Sequence, residues 1–192
     1  MDNAEATDPP RPKRRARRAA LPFAVPAYPQ PATRMVEQMS AEIFKGHFFD
    51  EYLAALLARA SAAVSAEFNE DVTRTGLPVL HWRVLATLHD SDGMTMSHIA
   101  ELTLIPPSTL TRLVQRLERA GLLRSERDPR DRRNTRVYIE QAGRERVVGL
   151  IRMAKERQRV LLDGIDSQAL QASLRHLIAF CAARRRKRTL MT

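Results

Sequence analysis

At 192 residues with 44% apolar side chains, the chain is long enough for one well-packed domain with appendages and too short for two large ones. A formal charge of +10 makes a polyanion the first partner to test, and its distribution matters more than its total. Residues 1–34 hold seven Lys or Arg against three acidic residues, and Arg184–Arg188 add five more cations, so the two ends carry +9 and the middle is nearly neutral. Basic ends of this kind are equally compatible with non-specific nucleic-acid binding, an anionic lipid surface or simple solubility. No apolar run is long enough to span a membrane, and the N-terminus has no secretory pattern, which makes a cytoplasmic protein the expectation. The single cysteine, Cys181, excludes an intrachain disulfide and argues against a cysteine-rich zinc site.

In chain order, residues 1–34 combine prolines with Arg-Arg pairs and no apolar period, so this basic arm is expected to be disordered. Its Arg11–Arg18 block reads either as a solvated tail or as a phosphate-binding arm. From about Ala41 to Thr73, Phe48, Tyr52, Leu56, Ala60, Val64 and Phe68 recur at helical spacing, and Phe49, Leu53 and Leu57 widen the apolar arc. One long helix is predicted, buried against more than one neighbour, with a second subunit among the candidates. Gly76-Leu77-Pro78 breaks the pattern. Leu80, Val84, Leu85 and Leu88 then predict a short helix over 80–89 that contains Trp82. Thr95 suits the N-cap of another over 96–103, with Ile99 and Leu102 facing inward.

Pro107 suits the first turn of a helix that ends at Gly121. Leu110, Leu113, Val114 and Leu117 form its core face, and Thr111, Arg112, Gln115, Arg116 and Arg119 form a face of hydrogen-bond donors. The segment from Leu122 to Glu140 has a charged centre, Asp128–Arg133, and ends in the alternating Val137-Tyr138-Ile139, predicting a β-hairpin with a polar tip. The remainder is helical. Val147, Val148, Ile151 and Ala154 mark one segment; after Asp163-Gly164, the stripe Leu170, Leu174, Leu177, Ile178 and Cys181 marks another, which is expected to pack and bury the thiol. The fold class is therefore mainly α with a small β-hairpin. Two short helices, a helix with a basic outer face and a charged hairpin make a winged helix-turn-helix, in which the later helix enters the major groove and the wing reaches the adjacent minor groove.

Four stretches carry a family resemblance. They are Trp82-Arg83-Val84-Leu85; Pro107-Ser108-Thr109-Leu110-Thr111-Arg112-Leu113-Val114; Leu117-Glu118 with Gly121-Leu122; and Asp128-Pro129-Arg130-Asp131-Arg132-Arg133. Together they resemble the MarR family of bacterial regulators over roughly residues 45–183, the pairing of the Ser-Thr-x-Thr-Arg helix with the Asp-Pro-x-Asp-Arg-Arg wing being the specific part. The resemblance implies a homodimer of interdigitated terminal helices on an inverted-repeat DNA site, with a small-molecule pocket between the dimerisation helices and each winged domain.

The expected divisions are a basic arm (1–34), an N-terminal dimerisation region (35–76), the winged domain (77–141), C-terminal dimerisation helices (142–183) and a basic tail (184–192). Carried to matching positions, Ser108, Thr109, Thr111, Arg112, Gln115 and Arg116 become the major-groove and phosphate candidates, with Arg112 the choice for a guanine edge. Arg133 becomes the minor-groove probe and Asp131 its brace, while Arg130, Arg132 and Arg136 fall to phosphates or water. Two positions depart from the family pattern: Leu104 stands where many relatives have glycine, and Pro106-Pro107 replaces a polar N-cap.

Phe48, Phe49, His81 and Trp82 are weak effector-pocket candidates, since aromatic residues at helical spacing are more often plain core. The histidines (His47, His81, His89, His98, His176) lack metal-ligand spacing. No metal or cofactor is expected, and no nucleophile-base constellation suggests an enzyme. The expected protein is a repressor with double-stranded DNA and a second copy of itself as partners, a small-molecule effector and no membrane. The alternative is a winged-helix module that coats DNA non-specifically or binds a protein.

Overall fold

The computed structural model describes residues 33–129 and 131–189, with the side chains of residues 188 and 189 left out. The arm before Thr33 and Arg130 lie outside the described residues. The elements in order are α1 (Thr33–Ile43), α2 (Phe48–Glu51), α3 (Leu53–Arg74), α4 (Val79–Asp90), β1 (Met94–Thr95), α5 (Met96–Thr103), α6 (Pro107–Arg119), β2 (Leu123–Arg127), β3 (Thr135–Ile139), α7 (Gln141–Leu161) and α8 (Ser167–Thr189).

The fold is mainly helical, with a three-stranded antiparallel sheet in the order β1-β3-β2. The predicted hairpin pairs Leu123 with Ile139 and Arg127 with Thr135. A third strand was not legible in the sequence: Met94 and Thr95 pair with Val137 and Arg136, a bridge too short to leave a period-2 pattern. Thr95 also caps α5, its Oγ1 accepting from the His98 N–H at 3.3 Å. Ile99 is buried as expected, but Leu102 is exposed. Its inward place is taken by Thr103, one position further round the turn, whose hydroxyl donates to the Ile99 carbonyl at 2.7 Å.

Two predicted boundaries change at the N-terminus. Helix α1 begins at Thr33, inside the predicted arm, and the single helix over 41–73 is broken into α1, α2 and α3. The break has a local cause. Gly46 adopts φ +76°, and the Asp50 carboxylate accepts the N–H groups of Lys45 (3.0 Å) and His47 (3.2 Å) and a bond from Arg59 (3.1 Å). Burial alone would raise the Asp50 carboxyl; those N–H donors and Arg59 outweigh it and hold the group below its ordinary value.

The core lies where α4, α6, α7 and the sheet meet, around Leu85, Leu88, Leu110, Leu117, Val137 and Val147, all at most 1% exposed. Burial of that order contributes about 1.5–3 kcal/mol for each large apolar side chain. Glycine at 143 lets α7 lie against the start of the wing, because a Cβ there would lie inside contact distance of the Leu122 carbonyl oxygen. Beneath α3, the buried Asp71 carboxylate is met by Arg74 and Arg157, and Arg157 also reaches Glu67 at 2.9 Å.

Outside this body the apolar faces are bare. Phe48, Phe49 and Tyr52 stack on one another in the open, and Ile178 and Phe180 on α8 are exposed. Cys181 is exposed too, against the expectation of a packed stripe, because no other described element packs extensively against α8. The basic run expected as a tail continues α8 to Thr189. No helix among the described residues is long and apolar enough to cross a membrane.

Candidate nucleic-acid interface

Helix α6 forms because Pro107, which lacks an N–H, occupies the first turn, where none is needed, while Leu110, Leu113, Val114 and Leu117 bury one side. All six positions assigned to DNA on this helix, Ser108, Thr109, Thr111, Arg112, Gln115 and Arg116, lie on the exposed side. Pro106 provides no side-chain cap, and the helical ladder begins with Leu110 N–H donating to the Pro106 carbonyl at 2.9 Å. The N–H groups of Ser108 and Thr109 therefore have no acceptor within the helix, and they sit at its positive end. The proline that replaces the usual polar cap thus leaves two donors open to an anion. Thr111 is less free than its neighbours, since its hydroxyl donates to the Pro107 carbonyl at 2.9 Å.

The approach to α6 carries the other departure. Leu104 closes α5 in the left-handed conformation at φ 55°, the single non-glycine residue of positive φ among those described, and its side chain is 84% exposed. Left-handed backbone in a residue with a Cβ costs roughly 1–2 kcal/mol. The turn therefore keeps a glycine-type geometry without the glycine.

At the wing tip, Asp131 holds the turn through its backbone. Its carboxylate accepts the Arg133 N–H at 3.0 Å and the Asn134 side-chain amide at 3.1 Å, while its carbonyl accepts the Asn134 N–H at 2.9 Å. The hold is on the Arg133 main chain rather than on its guanidinium, and Arg132 and Arg133 both point outward, exposed. Among the described residues no carboxylate pairs with Arg112, Arg116, Arg132 or Arg133.

Arg136 needs correcting. It was assigned to phosphate or water, but it is a strut inside the wing. Its Nε donates to the buried Asp128 at 2.7 Å and its Nη1 to the Gly93 carbonyl at 2.8 Å, tying the hairpin to the loop after α4. Asp128 N–H in turn donates to the Asn134 carbonyl at 2.9 Å across the base of the turn. Next to this, Asp92 accepts the N–H groups of Gly93 (3.1 Å) and Ile139 (2.9 Å) and is paired with Arg144 of α7. Reading Asp128 only as part of a motif concealed this. The available signal was an acidic residue opening a turn of otherwise basic ones, with an arginine on the return strand to pair it.

The four weak pocket candidates do not share one site. Phe48 and Phe49 touch each other and Tyr52 on α2, whereas Trp82 packs edge-on against Phe68 of α3, with centroids 5.2 Å apart, beside the core. His81 points elsewhere, into a cavity it shares with Arg112 and Arg116 of α6. Partial burial, and secondarily the charge of Arg116, hold its imidazole below its ordinary value of 6.5, favouring the neutral form.

Residues 75–134, from the start of α4 through the wing, match the sequence model of the MarR family. The HTH-type transcriptional repressor IacR of Pseudomonas putida is 27% identical over 100 residues, covering 52% of this chain and 60% of that protein. The chain thus spans well under two thirds of that curated relative. Coverage is fuller for solved structures. The MarR family transcriptional regulator SPO1453 from Silicibacter pomeroyi is 33% identical with a TM-score of 0.64, over 70% of this chain and 98% of that one. BpsR of Bordetella bronchiseptica, whose DNA binding is regulated by 6-hydroxynicotinic acid, is 25% identical with a TM-score of 0.57, over 71% and 96%. A winged helix-turn-helix with this wing, matched in sequence and over nearly the whole of a solved regulator, makes the chain a member of the MarR family of transcriptional regulators.

Proposed function

We propose that this chain is a transcriptional repressor that binds an inverted-repeat operator as a homodimer and is released from it by a small ligand. The observation that carries the DNA reading is the row of uncompensated donors on the outer side of α6. Arg112 and Arg116 lie one turn apart without acidic partners, and the two open N–H groups lie at the helix start. In that reading Arg112 meets a guanine edge, while Ser108, Thr109, Thr111, Gln115 and Arg116 fix phosphates and register. Arg133 enters the minor groove, whose narrow stretches concentrate negative potential, and Arg130 and Arg132 meet phosphates.

The bare apolar surface supports the dimer. Phe48 and Ile178 are each 69% exposed and Phe49 64%, on elements that the chain's own core leaves uncovered. Ligand release is supported by BpsR alone among the relatives described above, and IacR is named as a repressor. The test is selection of binding sites from random duplexes by the full chain. A dimer enriches two inverted half-sites whose centres lie about one helical turn apart, roughly 10 bp. Enrichment of single half-sites, or of none, would contradict the proposal.

A further inference from the structure

A cavity of about 370 Å³ lies between the start of α4 and the outward side of α6, away from the Phe68–Trp82 contact. That volume falls within the range of small-molecule sites, roughly 300–1,000 Å³. Its walls divide by chemistry. Val79 and Leu80 supply apolar surface, and Thr109, Arg112 and Arg116 supply a hydroxyl and two guanidinium groups from successive turns of one helix face. His81 closes the polar end, with a ring already held toward its neutral form by burial and by Arg116.

Two guanidinium groups one turn apart, with no carboxylate opposite them among the described residues, leave an uncompensated positive site beside an apolar wall. An occupant that suits both ends carries one anionic group and a flat apolar body. A carboxylate matches the planar fork of a guanidinium through two parallel hydrogen bonds, and a neutral imidazole adds a further donor. We propose that this cavity binds small aromatic monocarboxylates, and that the bound acid displaces DNA by direct competition for Arg112 and Arg116.

The inference rests on the DNA-facing assignment of α6 made above and adds to it a site, a ligand class and a mode of release. The mode is distinguishable from release through a change of shape. A guanidinium engaged by the acid cannot at the same time lie on a base edge or a phosphate, so acid and DNA exclude each other and the apparent DNA Kd rises linearly with acid without a plateau. Coupling between separate sites saturates, typically at 5- to 150-fold.

The experiment uses the full chain, the operator obtained by site selection, and benzoate, phenylacetate and 2-naphthoate as probes, with their primary amides as neutral counterparts. Calorimetry reads acid binding, and fluorescence anisotropy of the operator reads DNA binding across an acid titration. The expected result is that at least one acid binds while its amide binds at least tenfold more weakly, with DNA affinity falling in proportion to the acid added. Val79→Phe, which fills the apolar end and touches none of the residues assigned to DNA, should abolish acid binding and leave operator affinity within twofold. His81→Gln should weaken the acid severalfold with the same indifference to DNA.

Both variants are checked for an unchanged thermal transition. Should Val79→Phe fail that check, His81→Gln decides. The proposal is overturned by equal binding of acid and amide, by a plateau in the DNA competition, or by no binding of any probe at millimolar concentration. Acid binding that survives both variants also overturns it, while leaving a ligand-released repressor with its pocket elsewhere. Loss of operator recognition by the unmodified chain would instead strike the DNA assignment itself.

Discussion

Replacing Asp128 by alanine sets two physical arguments against each other. On charge alone, removing a carboxylate from an arginine-rich wing makes that wing more positive and should tighten its hold on DNA. The wing geometry gives the opposite sign. The Asp128 side chain is 6% exposed, that of Arg136 36%, and their bond is 2.7 Å. A hydrogen bond to a charged group contributes about 1.5–3 kcal/mol, and the partial exposure of Arg136 puts this one near the middle, about 2 kcal/mol.

The loss falls on the strut that fixes the hairpin to the Gly93 carbonyl, so open forms of the wing become populated and apparent affinity drops with the closed fraction. Urea unfolding should show a lower midpoint at unchanged m-value. Operator anisotropy at fixed salt should show binding at least fivefold weaker. Arg136→Ala should give losses of similar size, and the double variant should lose little more than either alone. Operator binding as tight as or tighter than the parent's in Asp128→Ala would refute the strut and return Arg136 to a phosphate-contacting role.

Four further outcomes are expected. Gly143→Ala forces a methyl group onto the Leu122 carbonyl at a packed helix-wing junction and should cost about 1–3 kcal/mol or more by urea unfolding. Leu104→Gly relieves the left-handed strain at φ 55° and should raise stability by roughly 1 kcal/mol, with a modest change in operator affinity reporting on the recognition-helix approach. Arg133→Ala should weaken operator binding without moving the thermal transition, because its side chain is exposed and its N–H, not its guanidinium, holds the turn. His81 is held below 6.5 by burial and by Arg116, so below that pH the unfolded chain binds more protons than the folded one. Its contribution to stability is complete above pH 6.5 and is lost as pH falls toward the lowered folded value; His81→Gln should flatten that part of the stability profile.

The parts of the fold that read well from sequence are those where one periodic signal decides the structure. Leu110, Leu113, Val114 and Leu117 define α6 because a wide core covers one side of it, and the hairpin follows from two β-prone runs around a charged turn. Legibility failed where a few local bonds outweighed the pattern. The apolar spacing continues through Phe44 to Tyr52, yet Gly46 and the Asp50 carboxylate break the helix there. Burial of the α8 stripe, Cys181 included, could not follow from spacing alone, since a stripe states what a helix can cover and not what lies opposite it. In the candidate interface, the exposed residues of α6 were placed by periodicity, and Asp131 by resemblance. The Asp128–Arg136–Gly93 strut was invisible because it joins residues 43 positions apart through a buried carboxylate that a composition-based reading assigns to the surface.

The most direct test of a sequence-specific regulator is the ratio of its affinities for the selected inverted repeat and for a scrambled duplex of the same composition, measured across a salt series. Phosphate contacts weaken with salt on both DNAs, whereas base contacts from α6 distinguish them. The account predicts a ratio of at least 1,000, the lower end for specific DNA-binding proteins, and one that persists as salt rises. A ratio near one, with both affinities falling together, would contradict it and identify a protein that coats DNA through its basic ends.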